Sequence, residues 1–231
     1  MDYKKLFHKE EAFQRETFQK RMEEFGFKNM ARMELFLWDL ELFLHIQKIL
    51  GDKIILKGGA ATQFYLPRDA QRTSVDIDML FFGTEEEIKE TLRKIEEYLG
   101  TEDELFYFHK HSPKNPKTNL PLHTYYMKVP SVLSNAERNM DRESIPYQEL
   151  KIEFILQPEK WEYERRTGEN IFAVNSSWNY QILPLNYLFA DKLTTLGCNT
   201  IGVQNERLDE QVKQFYDCLL YTSPSPRDMR R

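Results

Sequence analysis

The sequence predicts an α+β fold: a mixed sheet preceded by N-terminal helices and followed by a C-terminal helical module that is cut short. Two stretches before residue 52 space their apolar side chains three and four apart, the period of a helix with one buried face. From residue 53, short β-branched or alternating runs interleave with helical ones, and after residue 183 the pattern returns to helix. No internal repeat is visible.

Residues 2 to about 25 read as a charged helix with Leu6, Phe7, Phe13, Phe18, Met22 and Phe25 as a sparse apolar stripe, stopped by Gly26. Met30 to Leu50 reads as a second helix, apolar enough to be buried, ending at Gly51. Lys53 to Leu56 is a short strand, Gly58-Gly59 turns it, and Ala60 to Leu66 is a short helix ended by Pro67. A polar loop over 67–73 leads into a strand from Ser74 to Phe82. Thr84 then caps a helix whose first turn holds Glu85, Glu86 and Glu87, with Ile88, Leu92, Ile95 and Leu99 inward and Gly100 at its end. Three more strands follow, Leu105 to His109, His123 to Val129 and Glu149 to Leu156. Trp161 to Asn179 reads as irregular. Pro184 to Leu196 is a helix, Gly197 to Asn205 a loop, and Glu206 to Asp217 the start of another helix.

The composition bounds the function. The chain has 231 residues, 41% hydrophobic and 30% charged, enough for one sizeable core or one domain plus a smaller one. No apolar run approaches the roughly 18 residues needed to cross a bilayer, so no membrane role is expected. The charged start, Met1 to Glu11, lacks the apolar segment of a secretion signal. Two cysteines, Cys198 and Cys218, make no disulfide framework, and a reducing cytoplasmic setting fits. A net charge of −5 argues against a surface that coats nucleic acid broadly, while leaving room for a local basic site. The stretch from Cys218 to Asp228 resembles the one-frame translation of a transposon-type sequencing adapter. The expected organisation is therefore 1–52 as N-terminal helices, 53–157 as the core, 158–217 as the start of the helical module, and 218–231 as a non-native tail.

Chemistry is concentrated in two strands. Strand side chains alternate, so Asp76 and Asp78 share a face while Ile77 and Met79 point to the core. Carboxylates two residues apart on a strand stand roughly 7 Å from each other and can share divalent ions about 3.5–4 Å apart. Mg²⁺ suits such a site because it prefers oxygen ligands and keeps substrate phosphates in its shell. Solvated acids on a strand face are the plain alternative, but the flanking residues are apolar, and unpaired buried charges are costly unless they bind something. Glu153 shares a strand face with Lys151. The two are an ordinary salt bridge unless their strand pairs beside Asp78, in which case Glu153 is a third carboxylate, as ligand or base, and Lys151 neutralises phosphate charge. Gly58 and Gly59 allow close backbone approach to a phosphate.

These residues resemble the AbiEii toxin family of nucleotidyltransferases, within the polymerase-beta-like superfamily. The likeness rests on Leu56-Lys-Gly-Gly-Ala-Ala-Thr62 and on Arg72-Thr-Ser-Val-Asp-Ile-Asp-Met79. Lys151-Ile-Glu153 is similar to the family's second motif, and the helix from Leu183 with Ala190-Asp-Lys-Leu193 to its third. Gln211 to Asp217 is similar to the fourth, with Gln214 standing where the family has an aspartate. The resemblance spans residue 53 to Asp217. It implies a mixed-sheet nucleotidyltransferase core that moves a nucleotide from an NTP, with Mg²⁺, to an acceptor that is tRNA for some members. It also implies a toxin, a partner antitoxin and a part in phage defence. On this resemblance Lys57, Gly58, Gly59, Arg72 and Ser74 hold the nucleotide, Asp76 and Asp78 bind metal, and Lys151, Glu153 and Lys192 complete the catalytic set. Arg72 is equally readable as a phosphate contact or a loop-anchoring ion pair.

The segment with His109, Lys110, His111, Lys114, Lys117 and His123, near Tyr125 and Tyr126, reads as a solvated loop and strand edge, or as a grip on a nucleic-acid acceptor. Two other functional classes share the carboxylates: a catalytically inactive binding module on the same fold acting through a protein partner, and a phosphohydrolase or nuclease.

Overall fold

Asn29 starts the central helix by accepting a hydrogen bond from Arg32 N at 3.0 Å, and Gly51, at φ 61°, lies just past its end. The computed structural model describes residues 2–112, 121–134, 136–138, 147–196 and 208–222; the side chains of 208–210 and 220–222 are outside the description. The central helix, α2 (Met30–Leu50), matches its predicted bounds. From Met33 to Ile46 every residue but Leu35 is buried, because the helix is covered on all sides rather than along one stripe.

The N-terminal segment departs from the single helix expected. It forms two 3₁₀ turns, Tyr3–Lys5 and Glu10–Phe13, before α1 (Arg15–Phe25). The reason is a long-range contact: Phe7 N and His8 N donate to the Glu41 carboxylate at 2.8 and 3.0 Å, which draws that backbone out of helix. Gly26 ends α1 in the left-handed region, as predicted.

Among the described residues the core is one seven-stranded mixed sheet in the order β3-β4-β5-β2-β1-β7-β6. Its strands are β1 (Ile54–Leu56), β2 (Asp76–Phe81), β3 (Phe108–Lys110), β4 (Leu122–Pro130), β5 (Tyr147–Leu156), β6 (Glu164–Gly168) and β7 (Ser176–Ile182). The pairs β2–β5 and β1–β7 are parallel and the others antiparallel. Ile77, Met79, Ile152 and Phe154 are buried in the core shared with α2. Asp76, Asp78, Lys151 and Glu153 alternate to the opposite face. The helix α4 (Glu85–Leu99) begins with a full capping box between Thr84 and Glu87 and buries Ile88, Leu92, Ile95 and Leu99 as predicted.

Three readings are corrected. Trp161 to Asn179 is not irregular: it supplies β6 and the start of β7, so part of the 158–217 stretch lies in the sheet. The first of the three later strands begins at Phe108 rather than Leu105, since positive φ angles at Glu104 (58°) and Phe106 (64°) break the extended path. The helix after β1, α3 (Gly58–Gln63), starts on the glycines themselves and stops before Leu66. At the C-terminal side, α5 (Leu185–Thr195) follows Pro184, and α6 (Leu208–Thr222) runs beyond Asp217. Among the described residues no helix is long and apolar enough to cross a membrane.

Candidate active site

Parallel pairing sets Asp76 opposite Lys151 and Asp78 opposite Glu153. The condition on Glu153 is met: its strand lies directly beside Asp78. Lys151 Nζ stands 2.9 Å from Glu153 Oε1, and Thr124 Oγ1, from the facing position on β4, donates to the same oxygen at 3.1 Å. Burial opposes the Lys151 charge, but Glu153 and the two aspartates outweigh it and raise its pKa above the ordinary value, so the ammonium is kept.

Asp78 is the most strained electrostatically of the group. Burial and the neighbouring Glu153 charge push its carboxyl well above the usual range, with Lys57 pulling the other way. Gly58 explains how Asp78 fits at all. A Cβ at Gly58 would lie 2.1 Å from Asp78 Oδ2, and the residue has φ 67°. Lys57 N donates to Asp78 O at 2.8 Å, which fixes the two strands at the same point.

The remaining predicted residues line one wall. A Cβ at Gly59 would meet Arg72 Nη2 at 3.0 Å and Ser74 Oγ at 3.1 Å, so both polar ends lie against bare backbone. Arg72 gives Nε and Nη2 to the two oxygens of Asp217, at 3.0 and 2.8 Å, the loop-anchoring pair of its two readings. Lys192, only 4% exposed, donates to Gln214 Oε1 at 2.9 Å and pairs with Asp217 at 3.1 Å. Gln214 thus supplies by its amide oxygen a contact to Lys192 that a carboxylate would make with charge. Burial alone would raise the Asp217 pKa; the guanidinium of Arg72, with Lys192, brings it below the usual value. Lys57, whose charge acts on Asp78, pairs through its Nζ with Asp191 on α5 at 2.8 Å. The cleft between these groups has a volume of about 400 Å³ and is lined by Gly59, Arg72, Ser74, Asp76, Asp78 and Lys192, among others.

A profile of the nucleotidyl transferase AbiEii toxin family, a type IV toxin–antitoxin system, matches residues 42–229. The chain belongs to the AbiEii family. Among solved structures, JHP933 from Helicobacter pylori is 12% identical with a TM-score of 0.46, over 91% of this chain and 66% of that one. A second H. pylori protein, provisionally described as a nucleotidyltransferase, is 16% identical with a TM-score of 0.47, over 80% and 66%. The Megavirus polyadenylate synthase is 9% identical with a TM-score of 0.40, over 90% and 33%. This chain therefore spans 66% of the length of each H. pylori protein. No curated protein matches the sequence.

A metal ion here would find few protein donors. Among the described residues no three or more His, Cys, Asp or Glu side chains converge as a cage. The fit rests on Asp78: a carboxylate pushed toward its neutral form by burial and then by neighbouring Glu153 is relieved by a hard cation, and two aspartates would leave the rest of the shell to substrate oxygens. A larger cavity of about 680 Å³ lies between the N-terminal segment and β7, lined by Phe7, His8, Arg21 and Trp178. It contains none of the predicted site residues.

Sequence reasoning missed several groups. Thr124 and Asp191 orient Glu153 and Lys57; only register and helix packing reveal them. Asp39 lies within an apolar helix run, 1% exposed, with neither oxygen hydrogen-bonded among the described residues. Arg32 and Lys213 also line the cleft. Among the described residues of the basic segment, Lys110 and His123 both face Glu85, at 2.6 and 3.3 Å, and His109 stacks on Tyr126. Lys114, Lys117 and Cys198 lie outside the described residues.

Proposed function

We propose that the chain transfers a nucleotide from an NTP to an acceptor hydroxyl in a Mg²⁺-dependent reaction, as the toxin partner of an antitoxin. The observation that supports it most is the β2–β5 register, which sets Asp76 and Asp78 beside Lys151 and Glu153 on one face. Asp76 and Asp78 would hold the ion. When bound, Mg²⁺ neutralises triphosphate charge and stabilises the attacking and leaving oxygens.

The chain's own residues do the rest. Ser74 Oγ and the bare backbone at Gly59 form a place where a phosphate oxygen can approach. Lys192, buried and fixed by Asp217, presents a positioned cation rather than a mobile one. The acceptor oxygen forms a bond to the α-phosphorus as the bond to the bridging oxygen breaks. Pyrophosphate leaves with that electron pair, and the hydroxyl proton passes to Glu153, in hydrogen-bonding reach of Lys151 and Thr124. A tRNA acceptor, a role in phage defence and a cytoplasmic setting complete this reading.

Incubation with each NTP and Mg²⁺ should raise the thermal midpoint, and chelation should reverse the shift. Asp76→Ala or Asp78→Ala should abolish transfer of label from an α-labelled NTP while leaving the fold intact. Undiminished transfer in either variant contradicts the assignment, and no shift with any NTP turns the chain into a binding module on the same fold.

A further inference from the structure

Among the described residues five cations line the cleft, Arg32, Arg72, Lys151, Lys192 and Lys213, and three of them are already committed. Lys151 is held by Glu153, and Arg72 and Lys192 by Asp217. Among the described residues the Arg32 guanidinium and Lys213 Nζ make no hydrogen bond or ion pair. They arrive on separate elements, Arg32 from the start of α2 and Lys213 from α6. Asn29 satisfies the Arg32 backbone N–H, so Arg32 acts through its side chain. Beside it, Gln148 Nε2 on β5 reaches Ala31 O at 3.5 Å, which places this corner next to the strand that carries Lys151 and Glu153. Arg32 also lies before residue 42, outside the stretch matched by the family profile.

A ligand entering this cleft meets Asp76, Asp78 and Glu153 on its floor. Committed cations such as Lys192 are positioned but partly neutralised by their partners, so a polyanion over that floor also calls for cations free to answer its charge. We propose that Arg32 and Lys213 are contacts to the triphosphate chain of the incoming nucleotide, closing on it from α2 and α6. This rests on the nucleotidyl-transfer reading and adds to it a contribution from the N-terminal helix. A guanidinium offers a planar pair of donors to phosphate oxygens, and an ammonium a mobile point charge.

The test is equilibrium binding of inorganic tripolyphosphate and of an NTP, each with Mg²⁺, to the full chain and to Arg32→Gln, Lys213→Gln and the double variant. Loss of one charge-assisted contact should weaken both ligands roughly tenfold, and the double variant should lose more than either single. Arg32→Lys should recover part of the loss. Thermal midpoints without ligand should match the wild type, since neither side chain has a partner to lose among the described residues. Unchanged tripolyphosphate affinity in both single variants overturns the proposal. So does an outcome in which the variants bind tripolyphosphate normally but lose affinity for an RNA oligonucleotide, which would assign these cations to the acceptor strand. If the wild type binds neither tripolyphosphate nor any NTP, the nucleotidyl-transfer reading itself falls. If it binds both and the variants bind equally well, only this inference does.

Discussion

Asp217 grips Arg72 through both carboxylate oxygens, and the same carboxylate, with no exposed surface, also holds Lys192. One buried anion thereby ties α6 to the loop before β2 and to α5, across the wall of the cleft. Asp217→Ala leaves two cations facing each other, one of them buried. It should cost about 3–5 kcal/mol, the range for breaking one side of a buried pair. Urea denaturation measures this, and a loss under about 1 kcal/mol would show that the three groups are not coupled.

Glu41 carries a second buried charge. Burial would raise its pKa, but His45 and His8, together with Phe7 N, bring it to about 2. The folded pKa lies below the unfolded one, so the stabilisation is fully present above about pH 4.5 and is lost as the pH falls toward 2. A shift of this size corresponds to about 3 kcal/mol. Glu41→Gln should be destabilised by about that amount at pH 7 and should show a flatter acid limb. Equal pH dependence of the two thermal midpoints would contradict this.

Asp39 has the opposite sign. Burial, followed by the charges of Asp76 and Asp78, holds its carboxyl well above the usual range. The unfolded chain ionises this group above about pH 3.9 while the folded chain keeps it protonated, so its effect on stability worsens as the pH rises. Asp39→Leu removes a buried group whose oxygens have no partner among the described residues. It should stabilise the fold by about 1–3 kcal/mol, and by more at pH 8 than at pH 5. Destabilisation at both values would mean that Asp39 is bonded in solution.

Gly58→Ala probes the link between backbone and catalysis. The added methyl meets Asp78 Oδ2 and must also adopt a positive φ, which costs an L-residue roughly 1–2 kcal/mol. The larger effect should fall on transfer, by more than about tenfold, because Asp78 has to move. Full activity with a lowered thermal midpoint would separate Gly58 from the site.

What the sequence made legible follows from how local each signal is. The central helix, the Thr84 cap and the alternation of Asp76 with Ile77 are set by neighbours within four residues, and the structure has all three where they were expected. β6 gives no apolar alternation through Arg165 and Arg166, whereas β7 does alternate, with Trp178, Tyr180 and Ile182 interleaved with Asn179 and Gln181, a signal cut short by the polar residues before it. β7 exists by pairing with β1, more than a hundred residues earlier, at Leu56 and Ile182. The N-terminal turns follow from Glu41, a carboxylate that reads as an interruption in an apolar helix. In the site, the residue types were legible but the partners were not: nothing local says that Asp217 takes both Arg72 and Lys192, or that Asp191 takes Lys57.

On the proposed reading, the face of Asp76, Asp78 and Glu153 directs nucleotidyl transfer rather than hydrolysis. The direct measurement follows two labels from one NTP, at the α- and γ-phosphates, with Mg²⁺ and an RNA acceptor pool. The α label should appear on the acceptor and the γ label in pyrophosphate, both lost in Asp78→Asn. Release of the γ label as orthophosphate with no labelled acceptor would contradict the account and make the same carboxylates those of a phosphohydrolase.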